Sequence, residues 1–394
     1  MKKLFVFFLI FLSFLFCNAL VVSNKEKTIN EDLEIRGVYI SYLEYLTNFS
    51  NNSLDINKVY INKMLDNIKT LNLNTIFLHV SPFSDSISKS NIFPYSYTLT
   101  GVEGKNPGMD YLEFFIKEAK KRNLKVHAWI NPFRISNYSD TSKISKDNPA
   151  YTLLNTNHIS ITDKGIYYNP SSPKVIDLII KQVYELITNY DLDGIHFDDY
   201  FYSDYEIDIE NYKAFFEKNN NITLSDYRLK IVNTMIKNVY QTIKSYDKNI
   251  LFSIAPDGNI NNNYELHFAD IKTWLSREGY VDIIMPQVYY GFENDSKPFI
   301  ETLNEWHSLI KNNVKIIPVL AFYKVGLEDT YAGGGKNEWT LNNDIIKRQV
   351  NYSRTLEKYS GFTLFRYDFL YNDNLKNENS HKELENLKIL LKNN

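Results

Sequence analysis

Cysteine is almost absent from this sequence of 394 residues, and neither sign of charge is in large excess. The single cysteine, Cys17, excludes both a disulfide framework and a metal site built from several cysteines. Lysine and arginine number 44 against 47 aspartates and glutamates. The resulting formal charge of -3 gives no bulk electrostatic basis for binding nucleic acid or an anionic membrane.

Apolar and aromatic residues are abundant instead. With 44% hydrophobic and 23% charged residues the chain can bury a substantial core, which excludes a mainly disordered or fibrous protein. The 30 tyrosines and 25 phenylalanines exceed what a core requires, and rings that line a cleft are one use for them. A core tolerant of tyrosine and a biased genome composition explain much of the same excess.

The N-terminus has the pattern of a secretory signal peptide. Lys2 and Lys3 precede an apolar run over residues 4–16, and small residues lie three and one before a cut after Ala19. We therefore predict a signal peptide over residues 1–19, a short linker over 20–33 and a mature protein that is secreted or held in the cell envelope. No later stretch resembles a membrane span, so no membrane domain is expected after cleavage.

Two other interpretations of this N-terminus are less favoured. A lipoprotein signal would make Cys17 the lipidated residue, but Phe16 is bulky where that signal requires a small side chain. Residues 4–22 are also just long enough for an uncleaved membrane anchor.

From Glu34 onward, short apolar runs alternate with longer amphipathic segments, which is typical of repeated βα units. We count eight units, and this number favours a (β/α)8 TIM barrel over a doubly wound sheet. The predicted single domain spans residues 34–394. Helical spacing is clear in two of the intervening segments, around Ile61 to Leu71 and Ile176 to Ile187. The candidate strands are Gly37 to Ser41, Thr75 to Val80, Val126 to Ile130, Gly194 to Asp198, Leu251 to Ala255, Ile283 to Pro286, Ile316 to Ala321 and Gly361 to Phe365.

The longest stretches without periodicity follow strands rather than precede them. They cover residues 82–108, 132–173, 200–223 and 323–342, and we predict them to be irregular, enlarged loops. In a TIM barrel the loops after the strands form the C-terminal face, where active sites lie. Functional residues are therefore expected at the ends of the strands.

Side chains alternate along a strand, so the apolar set facing the helices identifies the set facing the barrel axis. In the third strand, Val126, Ala128 and Ile130 are the outward set. Trp129 and Asn131 then face inward. The fourth strand places Asp199 at the rim of the barrel. The same alternation in the other strands predicts a group of inward polar residues that converges at one end of the barrel: His79, Asn131, His196, Asp198, Asp257, Gln287 and Tyr289.

A polar group at this position is costly unless it binds something, because buried carboxylates and imidazoles lose hydration. We predict that Asp198, Asp199 and Asp257 include the catalytic residues, although an acidic pair in a loop often caps a helix or forms ion pairs instead. For His79 and His196, a hydrogen bond to a neighbouring carboxylate is favoured over metal binding. No metal and no cofactor is predicted.

Carboxylates, amides and aromatic rings around an open groove are suited to carbohydrate. Cleavage of a glycoside requires a protonated acid and a second group that stabilises the oxocarbenium-like centre. We expect Asp198, held by His196, to be the ionised or orienting member, and Asp199 or Asp257 to be the acid. The predicted partner is a polysaccharide strand, bound by a monomer.

At these residues the sequence resembles a known family, the glycosyl hydrolase-like family ten, over about residues 34–325. The resemblance implies a (β/α)8 hydrolase of bacterial envelopes that acts on glycan strands such as those of peptidoglycan. We assign to substrate binding eight residues that lie either in its motifs or in the inward polar set: Tyr39, His79, Trp129, Asn131, Arg134, His196, Gln287 and Tyr289. The motifs are Arg36 to Ser41, Pro107 to Asp110, the stretch Ala119 to Arg134 that contains His127 to Arg134, Asp193 to Tyr200, Tyr280 to Asp282 and Met285 to Tyr289.

A fainter likeness links the fourth strand to family 18 chitinases, which carry an Asp-x-x-Asp-x-Asp-x-Glu pattern there. Asp193 and Asp198 match in identity and spacing, whereas His196 and Tyr200 replace the second Asp and the Glu. This departure removes the usual acid, although assistance by an N-acetyl group of the substrate stays open.

The leading hypothesis is an exported glycoside hydrolase that acts on an N-acetylated cell-wall glycan. The alternative is a noncatalytic glycan-binding barrel of the envelope. A metal-dependent hydrolase drawing on His79, His196 and Asp198 is a third possibility, but the first strand lacks a His-x-His motif.

Overall fold

A computed structural model describes residues 34–50, 52–218 and 222–392. The predicted signal peptide and linker lie outside these residues. Nine short parallel strands form one sheet in the order β10-β9-β8-β7-β3-β2-β1-β12-β11, and three antiparallel strands form a second sheet in the order β4-β6-β5. The strands are β1 Ile35–Ile40, β2 Thr75–Ser81, β3 Lys125–Ile130, β4 Arg134–Ser136, β5 Ile159–Thr162, β6 Gly165–Tyr168, β7 Gly194–Phe197, β8 Leu251–Ile254, β9 Ile283–Ile284, β10 Lys315–Ile316, β11 Val319–Leu320 and β12 Gly361–Leu364.

The two ends of the parallel order belong to one stretch of chain. β10 pairs with β9, and β11 pairs with β12. Only Ile317 and Pro318 separate them: the Ile317 amide donates to the Ile284 carbonyl (3.0 Å), and the Pro318 carbonyl accepts from the Thr363 amide (3.1 Å). Residues 315–320 therefore bond to β9 on one side and to β12 on the other. Because β10 and β11 share one position, the nine strands fill the eight positions of the predicted TIM barrel.

Helices follow the strands, as the alternating pattern predicts. In the helix Leu54–Thr70 the residues Ile61, Met64, Leu65 and Ile68 are fully buried, which confirms the helical spacing. No helix in the described part of the chain is long and apolar enough to cross a membrane. The α-helices are Tyr42–Asn48, Leu54–Thr70, Tyr97–Thr100, Tyr111–Lys120, Pro173–Asn189, Ile209–Phe216, Leu224–Tyr246, Ile260–Glu265, Ile271–Ser276, Phe299–Leu309, Glu338–Leu341, Ile345–Ser353, Tyr367–Tyr371 and Glu378–Lys392.

The apolar residues separate into two clusters, as the alternation along the strands predicts. Val126, Ala128 and Ile130 belong to the large cluster between the sheet and the helices. Trp129, from the same strand, belongs to a smaller cluster on the barrel axis together with residues such as Tyr39. The inward and outward phases read from the sequence are therefore confirmed for β3.

All four predicted irregular loops contain short regular elements. β4, β5 and β6 lie within residues 132–173, and the other three loops contain the helices Tyr97–Thr100, Ile209–Phe216 and Glu338–Leu341. The prediction of irregular structure was wrong here because strands of three or four residues and helices of one or two turns are too short to show periodicity. The small sheet fixes the position of Arg134, its first residue, which pairs in register with Tyr167.

Gly194 marks a close contact inside the barrel. A Cβ atom at this position would lie less than 3.0 Å from three atoms of the His127 ring, which is itself fully buried. We expect Gly194→Ala to lower the free energy of unfolding by about 1–3 kcal/mol, the usual cost of overpacking a core. Urea denaturation of Gly194→Ala, His127→Ala and the double variant measures the effect. If the two changes add without compensation, the contact does not explain the glycine.

Candidate active site

A cavity of about 300 Å³ opens at the C-terminal ends of the parallel strands. Nine of the eleven predicted site residues line it, and two, His196 and Asp257, do not. The lining residues are Tyr39, Ser41, Tyr42, Leu43, His79, Trp129, Asn131, Arg134, Asp198, Asp199, Tyr200, Ala255, Gln287, Tyr289 and Phe365.

Two consecutive aspartates reach this cavity because the strand that carries them ends early. β7 ends at Phe197, one residue before the predicted end, so Asp198 and Asp199 lie in the following loop and no longer alternate. Both are buried, with 5% and 9% of their surface exposed. The Trp129 Nε1 group donates to Asp198 Oδ2 (3.2 Å), and the Tyr200 amide makes a long contact with Oδ1 (3.4 Å).

Burial next to another carboxylate changes the acidity of this pair. Burial and then the charge of Asp199 raise the pKa of Asp198 to about 7 from its ordinary value of 3.8. Burial also raises the pKa of Asp199, although the nearby His267 opposes the increase. Because ionising the second carboxylate beside the first is unfavourable, the pair can hold one proton near neutral pH.

His196 does not hold Asp198, contrary to the prediction. Its Nε2 atom is hydrogen-bonded to the Tyr39 hydroxyl (2.8 Å), and its Nδ1 atom to the Ser253 hydroxyl (2.8 Å). Both ring nitrogens are therefore occupied beneath the cavity. This excludes His196 from the metal site considered with His79 and Asp198, because neither nitrogen is available as a ligand.

Asp257 does not line the cavity, although its carboxylate lies within 4.8 Å of that of Asp199. Its Oδ1 accepts from the Asn259 amide (2.7 Å) and its Oδ2 from the Asn262 side chain (2.9 Å). Both oxygens are engaged in holding the start of the helix Ile260–Glu265. The role that this geometry supports for Asp257 is to fix the loop beside Asp199 rather than to donate a proton.

His267 is a site residue that the sequence analysis did not find. Its Nε2 lies 3.8 Å from Asp199 Oδ2, and it comes from the segment between two short helices, where no motif marks it. Within residues 34–50, 52–218 and 222–392, Asp199, Asp257 and His267 are the one group of three donors close enough to hold a metal ion, their ligand atoms lying within 4.8 Å of one another. Since the oxygens of Asp257 already accept from amides, an electrostatic contact between His267 and Asp199 explains the group better.

His79 and Asn131 offer polar atoms that the surrounding chain leaves unpaired. The His79 ring stacks on Trp129 with a centroid separation of 3.5 Å, and burial lowers its pKa well below the usual range, so the ring is neutral. Both side chains are buried, and their polar atoms make no hydrogen bond of normal geometry with the described residues, although Asn131 lies close enough to His79 to influence its pKa. Unpaired buried polar groups that line a cavity are satisfied when a ligand binds there.

Another part of the cavity wall is formed by residues that follow β8, β9 and β12. Gln287 Nε2 donates to the Ala255 carbonyl (2.9 Å), and the Tyr289 ring packs at 5.8 Å from that of Phe365. Gln287 and Tyr289 line the cavity as their inward phase predicts. Phe365 and Tyr42, like Tyr200 next to the aspartates, were not predicted, since each follows a strand end without a distinctive pattern.

The sequence matches the model of the Glycosyl hydrolase-like 10 family over residues 34–332. It is 31% identical over 355 residues to glycosyl hydrolase YngK of Bacillus subtilis (strain 168), covering 84% of this chain and 67% of that protein. It is 30% identical over 332 residues to glycosyl hydrolase DigH of Escherichia coli (strain K12), covering 78% of this chain and 74% of that protein.

Among solved structures, the fold is similar to the PgaB (BpsB) glycoside hydrolase domain from Bordetella bronchiseptica. The TM-score is 0.58 at 12% identity, over 90% of this chain and 99% of that domain, so the likeness concerns the fold. The family match covers well over half of the sequence and confirms the resemblance read from its motifs. The chain therefore belongs to the glycosyl hydrolase-like 10 family.

Proposed function

We propose that the protein is an exported glycoside hydrolase that cleaves an N-acetylated glycan of the bacterial cell wall. The observation that carries the proposal is the buried Asp198–Asp199 pair beside two unpaired polar side chains, His79 and Asn131, next to the Trp129 ring. An acid and a carboxylate are what glycoside cleavage requires, and polar groups with a flat ring are suited to binding the sugar. Export is proposed from the charged and apolar N-terminal pattern alone.

In this mechanism Asp198 is the acid. Its pKa of about 7 keeps a proton available near neutral pH, where a general acid is most effective. The proton passes to the glycosidic oxygen as the bond from that oxygen to the sugar carbon breaks. The ionised Asp199, favoured by His267, stabilises the positive charge that develops on the sugar, and water then adds to the sugar and returns a proton to Asp198. This reverses the roles expected from the sequence.

Asn131 is proposed to bind the acetamido group. A primary amide offers one acceptor and two donors, which complement the carbonyl and N–H of an N-acetyl substituent. We expect Asn131→Ala to lower kcat/KM on an N-acetylated glycan by about 2- to 10-fold, the effect of one neutral hydrogen bond. The same glycan after chemical removal of its acetyl groups is the control. An equal loss on both substrates would contradict the assignment to the acetamido group.

The proposed function is tested with wall glycan strands incubated with the mature protein, with and without a chelator. New reducing ends that form equally in both conditions support the hydrolase. Strands that bind but stay intact support the noncatalytic glycan-binding barrel. Loss of activity on adding chelator would instead support a metal-dependent hydrolase.

A further inference from the structure

A second open cavity lies on the outside of the barrel, between the helices Pro173–Asn189 and Leu224–Tyr246. Its volume is about 560 Å³, larger than that of the catalytic cavity, and no residue lines both. The two helices lead into β7 and β8, whereas Asp198 follows the opposite end of β7. We call this cavity the helix groove. Six of its seven lining residues carry an uncharged polar group: Tyr184, Asn238, Gln241, Thr242, Ser245 and Tyr246.

No charged side chain of the described residues lines the helix groove. Two lysines on the same helices are each paired with a carboxylate, Lys181 with Asp177 (2.7 Å) and Lys244 with Asp282 (2.7 Å). Nucleic acids and anionic membranes are bound by clusters of cations that are free to meet a phosphate. The lining of the helix groove is instead complementary to a ligand without charge.

Two tyrosine rings form one end of the helix groove. The side chains of Tyr184 and Tyr246 are 54% and 50% exposed. Their ring centres lie 6.5 Å apart with an angle of 79° between the ring planes, so the edge of one ring meets the face of the other. This arrangement leaves ring faces open to solvent. A tyrosine has an apolar face and a polar tip, and can therefore stack on a sugar ring while its hydroxyl bonds to a sugar hydroxyl.

Two amide side chains continue the helix groove away from the rings. Asn238 is half-buried and Gln241 is exposed. Within residues 34–50, 52–218 and 222–392, neither amide group has a hydrogen-bond partner. Each offers one acceptor and two donors, which complement the carbonyl and N–H of an acetamido group. From Asn238 to Tyr246 the helix rises about 12 Å, so amides and rings can contact successive units of one polymer.

A peptide and a second copy of the chain fit the helix groove less well. An extended peptide adds to the free edge of a sheet, which two helices do not offer, and an amphipathic helix requires a hydrophobic groove. Ile180 is the one aliphatic residue among those that line the helix groove. Stable interfaces between copies have mostly apolar centres. The residue types therefore favour a chain of sugars.

We propose that the helix groove binds an uncharged, N-acetylated polysaccharide and holds it against the outside of the barrel, away from the catalytic cavity. Tyr184 and Tyr246 stack on its sugar rings, and Asn238 and Gln241 bond to its acetamido groups. The inference goes beyond the proposed function, because binding at this site requires no cleavage. A polymer held at two sites of one protein dissociates more slowly than from either site alone, so the helix groove retains the protein on insoluble glycan.

Retention on chitin, an insoluble and uncharged N-acetylated polysaccharide, tests the inference in the Asp198→Asn protein. We expect Tyr184→Ala and Tyr246→Ala each to weaken binding by about 2- to 10-fold, the effect of losing one ring contact. Tyr246→Phe keeps the ring and should bind within about 2-fold of its parent. Ile389→Ala is the control and should bind like its parent, since Ile389 is 54% exposed on the helix Glu378–Lys392 and does not line the helix groove.

The acetamido contacts are tested by comparing chitin with cellulose, which lacks acetamido groups. Changing both Asn238 and Gln241 to alanine should lower the preference for chitin by about 2- to 10-fold, the effect of one or two neutral hydrogen bonds. In the catalytically intact protein, the tyrosine changes should leave kcat/KM on short, soluble fragments of wall glycan unchanged, because such fragments reach the catalytic cavity without the helix groove.

The outcomes separate this inference from the hydrolase proposal. If the tyrosine variants bind chitin like their parent, or lose kcat/KM on short fragments by the same factor, the inference is wrong although the hydrolase proposal stands. If they change a dimer into a monomer in sedimentation, the helix groove is an interface between copies and the inference is wrong. If chitin is bound through the tyrosines but wild-type protein cleaves no glycan, the hydrolase proposal fails and the inference stands. If no glycan is bound or cleaved, both are wrong.

Discussion

Turnover of a wall glycan by Asp198→Asn is expected to fall by about 10²- to 10⁴-fold, the contribution of a positioned general acid. Asparagine is close in size to aspartate and can still accept from the Trp129 indole N–H, so the fold should persist. The loss follows from removing the only group in the proposed mechanism that donates a proton to the leaving oxygen. The measurement is the rate of release of reducing ends, with circular dichroism to verify folding.

A second substrate distinguishes the acid from its partner. Glycosides with good leaving groups, such as nitrophenols, need no protonation, so Asp198→Asn should cleave them much faster relative to wild type than it cleaves the natural glycan. Asp199→Asn should be slow on both substrates, because the charge on the sugar develops in either case. Asp163→Asn, an exposed position in the β5–β6 turn, is the matched control and should be unaffected. If Asp199→Asn rather than Asp198→Asn is rescued by the activated substrate, the roles are the reverse of those proposed.

Asp198→Asn is also expected to be more stable than wild type at pH 8. The pKa of Asp198 is raised from 3.8 to about 7 in the folded protein, so folding favours its protonated form. The stability contributed by this preference is complete below pH 4 and is lost as the pH rises through 7. Asparagine never ionises, so the variant does not lose this part of the free energy of unfolding at high pH. For a pKa shift of this size the loss amounts to about 1–4 kcal/mol.

Urea denaturation of both proteins at pH 4 and pH 8 measures this difference. The free energy of unfolding of Asp198→Asn should exceed that of wild type at pH 8 but be nearly equal to it at pH 4. Comparing this difference between the two pH values removes any effect of the substitution that does not depend on pH. The Asp163→Asn control should show no such dependence. A gain that is the same at both pH values would mean that Asp198 titrates normally in the folded protein.

The fold was predictable because its signals are local. Each parallel strand is buried on both sides, between the helices and the barrel axis, and this produces the short apolar runs that were counted in the sequence. Alternation along each strand then separates Val126, Ala128 and Ile130 from Trp129 without knowledge of any contact. The count of eight units and the set of inward residues follow from these two periodicities.

The roles within the site depended on contacts between residues distant in sequence. The residue types and their inward or outward direction along the strands placed Asp198, Asp199, His196 and Asp257 at one end of the barrel. They could not show which of these side chains are hydrogen-bonded to other residues. His196 bonds to Tyr39 and Ser253, 157 and 57 positions away, and Asp257 turns back to its own loop.

Loops gave the least information in the sequence. The orientation of a loop side chain is set by its packing against other loops, which no periodicity records. His267 therefore meets Asp199, and Arg134 is enclosed by Tyr42 and Tyr200, only once the chain is folded. The sequence by itself determined a barrel with polar residues at the ends of its strands, whereas tertiary structure decided which carboxylates are buried and which histidine has both nitrogens occupied. The physical reason is that burial and hydrogen bonding, which set acidity and availability, are properties of the surroundings rather than of the residue.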